Sequence, residues 1–308
     1  MQRRVLMLGV LSCAAACFGE RTPTGPRKRR RGAAKTPSLQ LPSAPGTRIA
    51  ASALEERAAL LRSRYADRGF TILVEEPFVV VGDEAPGAVA RRAETTIRWA
   101  VTRLREAYFR ADPAEIVDIY LFGDDASYVR HTRELFNDTP NTPYGYYSPA
   151  HDALIMNIST GGGTLVHEIV HPFMASNIPA CPAWFNEGLA SLYEQCSERD
   201  GAIVGLPNWR LPGLQAALRA DAVPSFATLC ALPEKQFYKQ DSGTNYAQAR
   251  YLCHYLQEHG LLRDYYRRFT AEVFVDPGGH RLLREMVGMD DAEFAAKWRA
   301  HVLGLQYG

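Results

Sequence analysis

Apolar residues recur at Leu54, Ala58, Leu61 and Tyr65, a helical period that predicts a helix over 52–67 with one buried face. The period then shortens. Stretches 71–74 and 78–81 are rich in β-branched and apolar residues and flank Glu75-Glu76-Pro77, which predicts two short strands or one interrupted strand. A long helix over 84–111 would place Val89, Ile97, Ala100, Val101 and Leu104 in a core. The clearest strand is 116–122, dense in β-branched and aromatic residues. A short helix over 128–136 follows. Stretches 144–148 and 153–158, on either side of Asp152, read as a hairpin running into an apolar helix behind Gly161-Gly162-Gly163.

From Leu211 the helical period dominates, with helices expected over 213–219, 225–232, 246–258, 261–269, 280–286 and 291–302, the last capped by Asp291. This half contains neither a repeat of solenoid length nor an apolar run long enough to cross a bilayer. The pattern predicts one α+β domain over 51–308, in which 51–178 carries the sheet and 179–308 is mainly helical.

The apolar helix after the glycines reads Thr164-Leu165-Val166-His167-Glu168-Ile169-Val170-His171. Residues four apart lie on one helix face, so His167 and His171 can turn both imidazoles to one metal ion. Two histidines leave a zinc site incomplete, and a catalytic site takes a third protein ligand while keeping one position open. Helix geometry picks out Glu187. If the first helix ends near Ser176 and Pro182 opens the next, the tight connection makes the two antiparallel. His171 then lies about five residues before the turn and Glu187 about five after it, each roughly 7.5 Å from the loop, so the side chains are level. Glu168, one step round the helix, stands beside the metal, where a carboxylate can take a proton from water.

These residues also carry a resemblance. His167-Glu168-Ile169-Val170-His171 followed by Trp184-Phe185-Asn186-Glu187-Gly188-Leu189-Ala190 resembles the gluzincin zinc metallopeptidases, most closely the bacterial peptidase MA-like group with its E-G-x-A third-ligand helix. The metzincin pattern does not fit, because Met174 and Asn177 stand where it has a glycine and a third histidine. Two departures stand out: the spacer to Glu187 is shorter than in thermolysin-like enzymes, and Ser191 occupies the place of a carboxylate that supports a zinc-bound histidine in thermolysin.

The resemblance implies a zincin-like fold, a twisted mixed sheet over an active-site helix with a helical lobe beyond. It implies a strand edging the cleft, for which 153–158 is the candidate, able to pair with a peptide substrate. It implies Zn2+ held by His167, His171 and Glu187, Glu168 as general base and then acid, and a downstream oxyanion donor. Tyr246 is the first candidate for that donor, ahead of Tyr251 and His254, although its place in an aromatic, apolar helix equally fits internal packing. Asn186 is either a substrate contact or a local hydrogen-bonding residue. The G-x-M-E-N element of aminopeptidase gluzincins is absent, which points to an endopeptidase acting on peptides or proteins. The competing readings are an inactive binding protein of the same fold at the cell envelope and a structural zinc domain; the latter is disfavoured because structural sites are closed by four ligands.

Composition refines the setting. A net charge of +1 gives no reason to expect a nucleic-acid partner. Arg3-Arg4, an apolar run over 5–11 and small residues to Cys17 read as an export signal over 1–18, too short to be a membrane span. Cys13 and Cys17 each sit in an imperfect lipoprotein cleavage context, so the expected destination is the bacterial cell envelope through a lipidated cysteine, or secretion. Residues 19–50, rich in proline, threonine and basic residues, read as a disordered linker. Cys181, Cys196, Cys230 and Cys253 permit two disulfides in an oxidising compartment, although a helix between Cys181 and Cys196 would keep that pair apart.

Overall fold

The computed structural model describes residues 47–239 and 243–307. Helix α1 (Ala51–Arg64) precedes the strands β1 (Thr71–Glu75) and β2 (Phe78–Gly82). Next, α2 (Pro86–Arg92), a π-helical turn (Ala93–Arg98) and α3 (Trp99–Ala107) succeed one another without a break, where the sequence predicts one long helix. Then come β3 (Asp118–Phe122), α4 (Asp125–Phe136), β4 (Gly145–Ser148), β5 (Ala153–Asn157), α5 (Gly163–Asn177) and α6 (Ala183–Leu192). A hairpin of β6 (Cys196–Arg199) and β7 (Ala202–Gly205) leads into α7 (Leu211–Arg219), α8 (Phe226–Ala231), α9 (Glu234–Lys239), α10 (Thr244–Glu258), α11 (Leu262–Glu272), α12 (His280–Val287) and α13 (Asp291–Gly304).

The fold is α+β. Its main sheet has the order β1-β2-β3-β5-β4, with β2, β3 and β5 parallel and the outer strands antiparallel to their neighbours. Strands covered on both faces are apolar throughout, as β2 shows with Val79-Val80-Val81. Side-chain alternation divides them between two cores. Val79, Val81, Tyr120, Phe122 and Ile155 pack with Leu54, Leu61 and Tyr128 of α1 and α4. Phe78, Val80, Ile119, Leu121, Leu154 and Met156 face the other way, into a core that continues through α5 and α6 to Val302 of α13. The predicted core residues Val89, Ile97, Ala100, Val101 and Leu104 all belong to this second cluster.

The structure corrects several expectations. The strand 153–158 is not at the edge of the sheet: β5 pairs with β3 on one side and β4 on the other, so the open edge belongs to β4. The cap of the last helix is Asp290, whose side chain accepts from the Glu293 N–H, rather than Asp291. Residues 47–49, placed by sequence in the linker, are fastened to Asp112: its N–H donates to Thr47 O, and its carboxylate accepts from Arg48 and the Ile49 N–H. All four cysteines from Cys181 onward are free thiols, so neither permitted disulfide forms. The export signal and the rest of the linker lie outside the described residues. Among the described residues no helix is long and apolar enough to cross a membrane.

Candidate metal centre

Helix α5 carries the H-E-x-x-H segment between the sheet and α6. Leu165, Val166, Ile169, Val170 and Phe173 are buried, which leaves the face of His167, Glu168 and His171 to the cleft. Pro172 does not end the helix, which continues to Asn177. It does remove the N–H that would bond to the carbonyl four residues earlier, the carbonyl of Glu168. The helix opens against the chain beyond α6: a Cβ at Gly163 would run into the Glu194 carbonyl oxygen, so only glycine allows this approach. Residue 163 lies one turn below His167, and the contact therefore holds the Glu194 backbone one turn below that histidine, with its carboxylate in reach of the imidazole.

Three donor atoms converge as the helix geometry requires. Glu187 Oε2 is 3.4 Å from His167 Nε2 and 3.9 Å from His171 Nε2, and the three side chains can offer donor atoms all within 4.8 Å of one another. Tetrahedral zinc with ligands at about 2.0–2.1 Å sets its donors about 3.3 Å apart, so one separation already matches and the other is slightly wide. Glu187 Oε2 is buried and has no hydrogen-bond partner, whereas Oε1 accepts from the Tyr238 hydroxyl at 2.7 Å. A buried carboxylate oxygen without a donor is costly unless a cation satisfies it. The residues present fit a divalent metal.

The far nitrogens of both histidines face oxygens. His171 Nδ1 is 3.1 Å from Asn186 Oδ1, so Asn186 makes a local bond, and it also lines the cavity beside His171. His167 Nδ1 is 3.1 Å from Glu194 Oε1, an ion-pair contact whose angle falls short of a hydrogen bond. Acceptors on Nδ1 leave the Nε2 lone pairs free for a metal. Glu194 is in turn gripped by Arg210 through both oxygens, at 2.8 and 3.1 Å, and by Asn208 Nδ2 at 3.1 Å.

Three carboxylates (Glu168, Glu187, Glu194) share this space with the guanidinium of Arg210, so the field favours positive charge. Burial opposes protonation of His167, but Glu187 and Glu194 outweigh it and raise its pKa to about 10. Burial likewise works against ionised Glu187 and Glu194. It is overcome by His171, His167 and Tyr238 at the first and by Arg210 and His167 at the second, so both pKa values fall. Glu168 goes the opposite way: loss of solvation, reinforced by Glu187 and Glu194, raises its carboxyl above the ordinary range despite the two histidines. The centre thus holds two ionised carboxylates, Glu187 and Glu194, beside a third, Glu168, of increased basicity.

No family model matches the chain, and no curated protein matches it.

Of the donor candidates, Tyr246 is brought to the site and the other two are not. Tyr246 is buried in an aromatic cluster with Phe237 and Tyr238, and Arg210 lies 5.4 Å from its ring centroid. Burial, helped by the charges of Glu187 and Glu168, raises its pKa. Tyr251 spends its hydroxyl on the Asn208 backbone, and His254 pairs with His301 of α13. Sequence reasoning missed Tyr238, Glu194, Asn208 and Arg210. Glu194 is seven residues beyond Glu187, but α6 ends at Leu192, so helical spacing does not fix its direction. A cavity of about 290 Å³ opens beside His171, floored by Met174, Ile178 and Ala183 and rimmed by Asn186, Leu232 and Tyr238.

Proposed function

We propose that the chain is a zinc-dependent peptidase of the gluzincin type that hydrolyses peptide bonds, with His167, His171 and Glu187 as ligands. The observation that carries this reading is the unpartnered, buried Glu187 Oε2 aimed at two histidine Nε2 atoms, with Glu168 beside it. Zinc, when bound, supplies Lewis acidity that acidifies a water and polarises a carbonyl.

The remaining chemistry belongs to the chain. Glu168 accepts the proton of the attacking water, and its raised pKa lets it hold that proton until the leaving amine takes it. Asn186 and Tyr238 keep His171 and Glu187 in their orientations. Tyr246 is a candidate to steady the developing oxyanion, being near both Glu187 and Glu168. The cavity beside His171 is the place for a substrate side chain, and the open edge of β4 rather than β5 is the strand available to a peptide backbone. The proposed setting is the cell envelope or the exterior, reached through the segment 1–18. Metal analysis of the purified protein together with a peptide-library digest tests the reading. One zinc per chain with cleavage of internal bonds is the expected result, and bound zinc without turnover on any peptide would favour the inactive binding protein.

A further inference from the structure

We infer that Glu194, fixed by the loop 206–210, is the positioning residue that aims His167 at the metal, an inference that rests on the zinc reading above. The residue at the place where thermolysin carries its supporting carboxylate is Ser191, and its hydroxyl turns back to its own helix, 2.5 Å from Glu187 O and 3.5 Å from Gly188 O. It supports neither histidine. Glu194 reaches His167 from a different point on the chain, just beyond the end of α6, and the absence of a Cβ at Gly163 lets its backbone lie one turn below the imidazole.

The carboxylate is immobilised far more heavily than an incidental neighbour needs to be. Arg210 grips it in a fork, Asn208 adds a third donor, and Asn208 Oδ1 accepts from the Arg210 N–H at 3.1 Å, so the two gripping residues also hold each other. Arg210 is itself stacked, its guanidinium 4.2 Å from the Trp209 ring centroid and 5.4 Å from that of Tyr246. The loop behind is tied to α10: the wholly buried Arg250 donates to Leu206 O, and the Tyr251 hydroxyl accepts from the Asn208 N–H at 3.0 Å. A continuous series of contacts therefore runs from α10 through the loop and Glu194 to His167. Arg210 also compensates the charge of Glu194, which allows a third carboxylate beside Glu168 and Glu187. A carboxylate so fixed 3.1 Å from Nδ1 restrains the imidazole and with it the direction of the Nε2 lone pair, and losing such a partner typically weakens metal binding about 10–100-fold.

The test is zinc affinity, measured on the full chain by competition with a chromophoric chelator, with thermal melting of the metal-free forms alongside. Glu194→Gln should weaken zinc about 10–100-fold and change the visible spectrum of the cobalt-loaded protein. Arg210→Met should act in the same direction, and Arg210→Lys, which keeps charge but not the fork, should recover part of the loss. Should Glu194→Gln fail to fold, Arg210→Lys and Asn208→Ala carry the test, and wild-type affinity in both overturns the inference. Glu194→Gln that melts lower yet binds zinc as the wild type does would make the residue merely structural and leave the zinc reading intact. A wild-type chain that takes up no zinc overturns both.

Discussion

Glu187 Oε2 stands 3.4 Å from His167 Nε2 and has no hydrogen-bond donor of its own. On the zinc reading, a buried anion in that condition is satisfied by a cation shared with the imidazoles. His167→Ala, His171→Ala and Glu187→Ala should each therefore remove most of the bound zinc. Atomic absorption of the purified variants checks this, and full occupancy in Glu187→Ala would mean that the third ligand is another residue.

Glu168 lies beside His167, His171 and Glu187 but outside the proposed ligand set, so the zinc reading separates chemistry from binding at this residue. Glu168→Gln keeps size and shape while losing the basic carboxylate, so peptide hydrolysis should fall by a factor of about 100–10,000 at unchanged zinc content. Equal rates in the two proteins at equal loading would show that Glu168 is not the base.

The pH behaviour of the metal-free protein follows from His167. Its pKa in the folded chain is raised from 6.5 to about 10, so the folded state binds more protons than the unfolded state between those values. The stabilisation is complete below pH 6.5 and disappears as pH rises through 10. The melting temperature of the metal-free protein should decline across that interval, and the decline should be absent after zinc loading, because a ligating imidazole has already lost its proton. For the same reason zinc uptake at pH 7 should release about one proton per ion, seen by calorimetry in buffers of different ionisation enthalpy.

Gly188, next to Glu187, lies where α6 meets α10. A Cβ there would stand 2.8 Å from Ala249 O and 2.9 Å from Cys253 Sγ. Gly188→Ala gains about 1 kcal/mol of helix propensity, yet the crowding should outweigh it and destabilise the protein by about 1–3 kcal/mol. Urea unfolding measures the difference, and a more stable variant would mean that the two helices separate easily.

The cluster of His167, His171 and Glu187 was legible in the sequence because periodicity decides it: a spacing of four between the histidines, and two helices folded about a short connection. The supporting residues were not. Tyr238 lies on α9, whose one buried residue is Phe237, so the helix has no apolar stripe to announce it. Glu194 follows the end of α6, and only the fit at Gly163 reveals its direction. The hairpin of β6 and β7 did leave a signal: Asp200-Gly201 joins the strands, and both residues have positive φ, the conformation this dipeptide favours in two-residue hairpins. Strand order was beyond reach, because inner and edge positions differ only in which neighbour arrives, and β5 is apolar enough for either.

The unbroken core from Phe78 to Val302 has a consequence for how the protein comes into being. During synthesis the two histidines emerge before Glu187, and α10, against which the Glu187 helix rests, emerges some sixty residues later still. Contacts so far apart in the chain are the slow ones to form. A nascent or truncated chain that ends before α10 would hold the motif without the scaffold that aligns it, so the convergence of His167, His171 and Glu187 arrives only once the C-terminal helices have joined the core.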